Sequence, residues 1–292
     1  MNANKFPSLI FLFLLSFNFA FKLAHCQSID NDLNDRNIKG KVSSTSESWY
    51  NYSSNKWTKG DFVTFNASGN IIRIEKYYND EVSGYEEHYY DSKGNNSERK
   101  IYTDGNLTEH VYKIFDSLNN IAKRTTYDNQ NKEIERIIFI RDKKGKLIEC
   151  KYYESNSYVK SIIYSYNNKG VLLRYDYNYY DKSGLLYRSD SVKYLYDSEA
   201  KIKTISEYYY GKTKIVSNYI DGSLKNISET FPDKSFEKTY NTQGDIFTVK
   251  GHDVDYSYEY EYDSQGNWIK RNTIYTRNGI KEGYYTRSIT YY

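Results

Sequence analysis

Three tryptophans, Trp49, Trp57 and Trp268, are the residues of this chain best suited to recognition chemistry. An indole offers a flat apolar face for stacking on a sugar ring, and the run Trp49-Tyr50-Asn51-Tyr52 alternates rings with hydrogen-bonding groups, as a carbohydrate-binding surface does. The competing reading is structural: large rings near the two ends of a strand array shield terminal edges that would otherwise pair with other molecules. Catalytic groupings are scarce. His25, His88, His110 and His252 do not pair with one another or with cysteine at metal-ligand spacing, and no Gly-x-Ser-x-Gly, phosphate-loop or dinucleotide sequence occurs. The run Asp30-Asn31-Asp32-Leu33-Asn34-Asp35 starts like a calcium loop but lacks the glycine at its sixth position and has Lys41 at its twelfth. Carboxylates fall at turns or among lysine and arginine. No catalytic, cofactor or metal residue is assigned, and a non-enzymatic protein is expected.

The elements that must position these rings are read from a repeated turn. Asx-x-x-Gly recurs at Asn66/Gly69, Asp91/Gly94, Asp142/Gly145, Asn167/Gly170, Asp181/Gly184, Asn241/Gly244 and Asp263/Gly266, with Asp197/Ala200 as a variant. Shortened forms stand at Asp104-Gly105 and Asp221-Gly222, and weaker turns at Asn79-Asp80, Ser155-Asn156 and Gly211-Lys212. The Asx side chain bonds backbone two residues on, and glycine three positions later takes the left-handed conformation that closes a bulged hairpin. Between turns, tyrosines alternate with polar residues, as in Tyr256, Tyr258, Tyr260 and Tyr262, which is the period of a strand. The spacing leaves room for short strands and none for helices of ten or more residues. The expected fold is all-β: an antiparallel β-hairpin repeat array over residues 48–292, a twisted or spiral meandering sheet with much of its packing supplied by 36 tyrosines.

The N-terminus carries Lys5, an apolar stretch from Ser8 to Phe21 and small residues near Ala24, the pattern of a secretory signal peptide over residues 1–26. Signal peptidase cleavage after Cys26 is one reading. In the other, Leu23-Ala24-His25-Cys26 resembles a bacterial lipobox, with Cys26 as the lipidated first residue, although His25 stands where a small residue is the rule. Residues 27–47, rich in Asp, Asn and Ser, read as a flexible linker. Removing the leader takes Lys5 and Lys22 and no acid, which lowers the net charge from +3 to +1 and leaves no basic footprint for nucleic acid. Cys150 is then the only internal cysteine, expected as a half-buried strand residue. A transmembrane barrel is disfavoured because Trp268-Ile269-Lys270-Arg271-Asn272 puts a charge on each face of its strand.

Tyr90-Asp91-Ser92-Lys93-Gly94-Asn95, Tyr180-Asp181-Lys182-Ser183-Gly184-Leu185, Tyr196-Asp197-Ser198-Glu199-Ala200-Lys201 and Tyr262-Asp263-Ser264-Gln265-Gly266-Asn267 resemble the YD repeats of the rearrangement-hotspot (RHS) family. The resemblance covers about residues 60–292. It implies a spiral of hairpins and, in large members, a shell around a toxin. The Asp-Pro-x-Gly core motif of those shells is absent, Pro232 being the only proline after the leader. Small exported envelope proteins of the family are the better match.

The expected function is that of an exported, non-enzymatic β-repeat protein of the bacterial envelope, periplasmic, at the outer membrane surface or secreted. It would act as a scaffold or interaction surface for a protein or polysaccharide, touching membrane only through an N-terminal lipid anchor. One alternative is cell-surface carbohydrate binding through Trp49, Trp57 or Trp268, and a further one is a relative of an RHS toxin-delivery shell.

Overall fold

A computed structural model describes Arg36 and residues 38–292, except 197–201, 210–212, 221–222, 231–234 and 252–253. The leader, Cys26 and residues 27–35 lie outside the described residues, as do His252, Pro232 and the turns at Asp197/Ala200, Gly211-Lys212 and Asp221-Gly222.

The first ten strands are β1 Val42–Asn51, β2 Lys56–Phe65, β3 Ile71–Tyr78, β4 Glu81–Tyr90, β5 Asn96–Thr103, β6 Asn106–Phe115, β7 Ile121–Asp128, β8 Glu133–Arg141, β9 Leu147–Glu154 and β10 Ser157–Tyr166. The second ten are β11 Leu172–Tyr180, β12 Leu186–Tyr196, β13 Ile202–Tyr209, β14 Thr213–Ile220, β15 Ser223–Thr230, β16 Ser235–Tyr240, β17 Ile246–Gly251, β18 Asp255–Tyr262, β19 Trp268–Tyr275 and β20 Ile280–Tyr291. Each pairs antiparallel with the next, so the hairpin array read from the turns is the architecture.

The array is closed. β1 pairs with β20 from Val42↔Tyr291 to Asn51↔Gly283, so each of the twenty strands has two neighbours and the sheet has no edge. This corrects the spiral or open meander, and with it the assignment to the YD/RHS family: a spiral leaves two free ends, whereas here the first and last strands are hydrogen-bonded to each other. β1 also begins at Val42, so Val42–Glu47 belong to the sheet and not to the linker.

The turns follow the expected local chemistry. At Asp91, Oδ1 accepts from the Lys93 and Asn95 amides, both at 2.9 Å, while the Gly94 amide donates to the Asp91 carbonyl and Gly94 sits at φ +82°. The same pattern holds at Asn66, Asp142, Asn167, Asp181, Asn241 and Asp263. Two further copies use asparagine in place of glycine, Asp116/Asn119 and Asp128/Asn131, with Asn119 at φ +66° and Asn131 at +61°. Asparagine is among the few residues that tolerate the left-handed region.

Most five-residue tips join an even-numbered strand to the next odd one and so share one rim. The two-residue turns at Asn79-Asp80, Asp104-Gly105 and Ser155-Asn156 lie on the other, with both residues of each at positive φ. Three tyrosines at the ends of even-numbered strands latch to the first residue of a strand that follows an earlier tip on the same rim. Tyr90, Tyr166 and Tyr196 donate to the carbonyls of Ile71, Leu147 and Leu172 at 2.6, 2.7 and 2.6 Å.

Directly paired residues share a face. One such row runs Phe139, Cys150, Ile162, Tyr177 and Asp190, and the next Tyr164, Tyr175, Val192, Glu207 and Ile215. These rows hold the largest apolar cluster, whereas the opposite face of the same strands carries exposed Ile163 and Lys193. On a closed wall the inward side chains crowd together and the outward ones splay, so the buried aromatic face is the inner one. Burial pushes the phenols of Tyr152, Tyr164 and Tyr175 far up and that of Tyr177 to about 12. Over β9–β11 the buried tyrosines therefore point into the barrel, while Tyr85, Tyr89 and Tyr102 on β4 and β5 face outward.

Candidate binding surface at the closing seam

The three tryptophans all lie on the strands that close the ring, β19, β20's partner β1, and β2. They are not brought to one site. Trp49 and Trp268 point inward and Trp57 outward.

Trp268 is 7% exposed, with the Arg287 guanidinium 3.7 Å from its ring centroid; Arg287 in turn donates to Glu47 at 2.7 Å. Trp49 packs on Tyr285 across the seam, centroids 4.3 Å apart. Gly283 makes this fit possible, since a Cβ there would run into the Tyr50 carbonyl oxygen and the Trp49 ring. Rings expected to cap free ends instead seal the two ends together. Neither is placed to meet a ligand outside the barrel.

Trp57 is 48% exposed and belongs to an outer cluster with Tyr50, Tyr52 and Tyr284. Centroid separations run from 5.2 to 5.9 Å, and the rings meet tilted or edge to face, the geometry their quadrupoles favour. Register explains the grouping: Tyr50 pairs with Trp57 on one side and Tyr284 on the other, and Tyr52 follows two residues later on the same face. The Tyr50 hydroxyl is held by Asn55 and the Ser54 amide by Asn51 Oδ1, which fixes the hairpin tip beneath the rings. Lys270 stands 5.5 Å from the Tyr284 centroid while bonded to Glu261 at 2.8 Å. Tyr284 had no distinguishing sequence signal, because one tyrosine among 36 is marked only by its partner across the seam.

Other reactive side chains are in service elsewhere. Glu86 on the inner face bonds Lys76 at 2.7 Å and Arg99 at 3.2 Å, with His88 at 3.7 Å. Burial pushes that carboxyl up, but hydrogen bonding to His88 and Lys76 and the charge of Arg99 outweigh it and hold the pKa at about 2. His110 bonds Glu98 at 2.7 Å. Cys150 is buried, its Sγ 3.9 Å from the Tyr164 hydroxyl. Among the described residues no group of three or more His, Cys, Asp or Glu is arranged to hold a metal.

No family model matches the chain, and no curated protein matches it. Among solved structures, it is similar to a porin-like protein from Bacteroides uniformis at 10% identity, covering 86% of this chain and 99% of that one, with a TM-score of 0.37. A porin-like protein from Bacteroides vulgatus aligns at 12% identity over 86% of this chain and 98% of that one, with a TM-score of 0.23. Agreement at that level carries no weight beside the strand pairing itself.

Proposed function

We propose that this is an exported, non-enzymatic β-barrel of the cell envelope, working in water and acting by binding. The observation that carries this reading is the distribution of charge over the two faces. Outward mid-strand positions hold Arg73, Glu75, Glu87, Glu98 and Lys100, paired among themselves at 3.0 to 3.2 Å. An arginine or lysine facing lipid at mid-membrane costs about 2–4 kcal/mol, and a wall studded with them is suited to solvent. Several inward acids are likewise engaged, Glu135 with Arg124, Asp190 with Arg188 and Glu47 with Arg287, while Asp61 carries a carboxyl that burial pushes up. Among the described residues no second carboxylate or histidine is bonded to Asp61, and the arrangement favours binding over catalysis. The outward ring cluster of Trp57 is the surface best placed for it.

A second reading, a membrane channel, is favoured by closure at twenty strands, a number at which round barrels retain an open lumen. One experiment separates the two. The mature chain, purified without detergent, should remain monodisperse and leave the conductance of a planar lipid bilayer unchanged; a requirement for detergent together with stepwise conductance would overturn the proposal.

A further inference from the structure

The outer face of the seam differs from the charged wall over β3–β5, and among the described residues it alone joins an uncharged polar strip to the exposed Trp57 and Tyr52 rings. Outward positions of β1 are Ser44, Ser46 and Ser48, and those opposite on β20 are Thr290, Ser288 and Thr286. Six hydroxyl residues thus form a two-strand strip with no charge in it, running into the Tyr50, Trp57 and Tyr284 rings. From Ser44 to Tyr50 the strip is about 20 Å long, at roughly 3.4 Å per residue. Two lysines border it and both are engaged: Lys59 lies over the face of Tyr77 at 3.7 Å, and Lys270 is bonded to Glu261 at 2.8 Å, its ammonium 5.5 Å from the Tyr284 ring centroid.

We propose that this strip and its ring cluster bind an uncharged saccharide chain. The absence of charge disfavours nucleic acids and anionic polymers, whose affinity comes from basic side chains. Small hydroxyl side chains leave a shallow surface that can exchange hydrogen bonds with a polyhydroxylated ligand, each hydroxyl serving as donor and acceptor. The rings at one end supply apolar faces for the C–H face of a sugar, and being wedged against one another they lose little rotamer freedom on binding. Trp57 and Tyr52, 48% and 46% exposed, would make the stacking contact. The inference rests on the water-facing outer wall proposed above. A chain that needs detergent fails both readings, whereas a detergent-free monomer that ignores neutral glycans fails this one alone.

The test is calorimetric titration of the mature chain with neutral hexaoses of glucose, mannose and N-acetylglucosamine, and with polygalacturonate as the anionic control. At least one neutral hexaose should bind with little dependence on salt, and Trp57→Ala and Tyr52→Ala should each weaken it tenfold or more. Ser46→Glu should weaken binding too, by narrowing and charging the strip. Tyr187→Ala, at a 65% exposed ring on β12, should leave binding unchanged. No binding of any neutral hexaose, binding that survives both ring substitutions, or salt-sensitive binding of polygalacturonate alone would each overturn the inference.

Discussion

The outer wall over β3–β5 and the outer face of the β1/β20 seam occupy equivalent positions in one sheet, yet they are built on opposite chemistry. Over β3–β5, side chains answer one another laterally. Arg73 bonds Glu75 and Glu87 and lies 4.0 Å from the centroid of Tyr85, Tyr85 stacks on Tyr102, and the Tyr77 and Tyr89 hydroxyls donate to Glu75 and Glu87 at 2.8 Å. At the seam the outward residues are uncharged and the rings stand open. A self-satisfied wall stays in water and recognises little, whereas a surface whose rings still expose large faces has binding energy to offer. On the proposed reading, recognition falls where the chain closes.

Gly283→Val is the most damaging way to break the seam. Because its Cβ would strike backbone as well as the Trp49 ring, the closure cannot relax around it, and a loss of about 3 kcal/mol in urea unfolding is expected. Stability close to that of the parent would mean that β1 and β20 do not pack as described.

Next in size is the acid response of the wall. Glu86 on β4 titrates at about 2 against an ordinary 4.5, so its contribution is fully present above pH 4.5 and is lost as pH falls through 2. At about 1.4 kcal/mol per unit the contribution is about 3 kcal/mol. Unfolding free energies measured from pH 5 to 2 should fall less steeply for Glu86→Gln than for the parent. Parallel pH profiles would mean that Glu86 makes no such contribution.

The tyrosine latches give smaller effects that compare the two regions directly. Tyr90 donates to Ile71 within the wall, and Tyr292 donates to Phe65 across the seam at 2.6 Å. Each Tyr→Phe change should cost about 1 kcal/mol. A negligible effect of Tyr292→Phe beside a normal effect of Tyr90→Phe would indicate a frayed seam. Smallest of all, Lys100→Ala removes one half-buried partner of Glu98 and should shift stability by less than about 1 kcal/mol. A large gain instead would mean that the outer wall does not face water.

Hairpins were legible because each is encoded within five residues: Asp-x-x-Gly specifies its own hydrogen bonds. The copies at Asp116/Asn119 and Asp128/Asn131 carried the same signal with asparagine in the glycine place, so a pattern admitting both residues finds them. Val42–Glu47 read as linker because a strand whose outward positions are Ser44 and Ser46 has the composition of one. Closure was not legible. Pairing Ser46 with Ser288 depends on strand number and accumulated twist summed over the whole chain, which no local motif states. For the same reason the tryptophans could be placed near the chain ends but not assigned to faces, and the Trp57 cluster could not be completed without Tyr284.

A cross-link reports directly on whether the first and last strands pair with their hydroxyl residues outward. Ser46→Cys and Ser288→Cys together place two thiols at directly opposed positions. Mild oxidation should give an intramolecular disulfide, read as a monomer with a reduction-sensitive shift in mobility and a linked peptide pair by mass spectrometry, and neither single variant should show it. Two thiols that stay free, or that link only between molecules, would contradict a closed barrel.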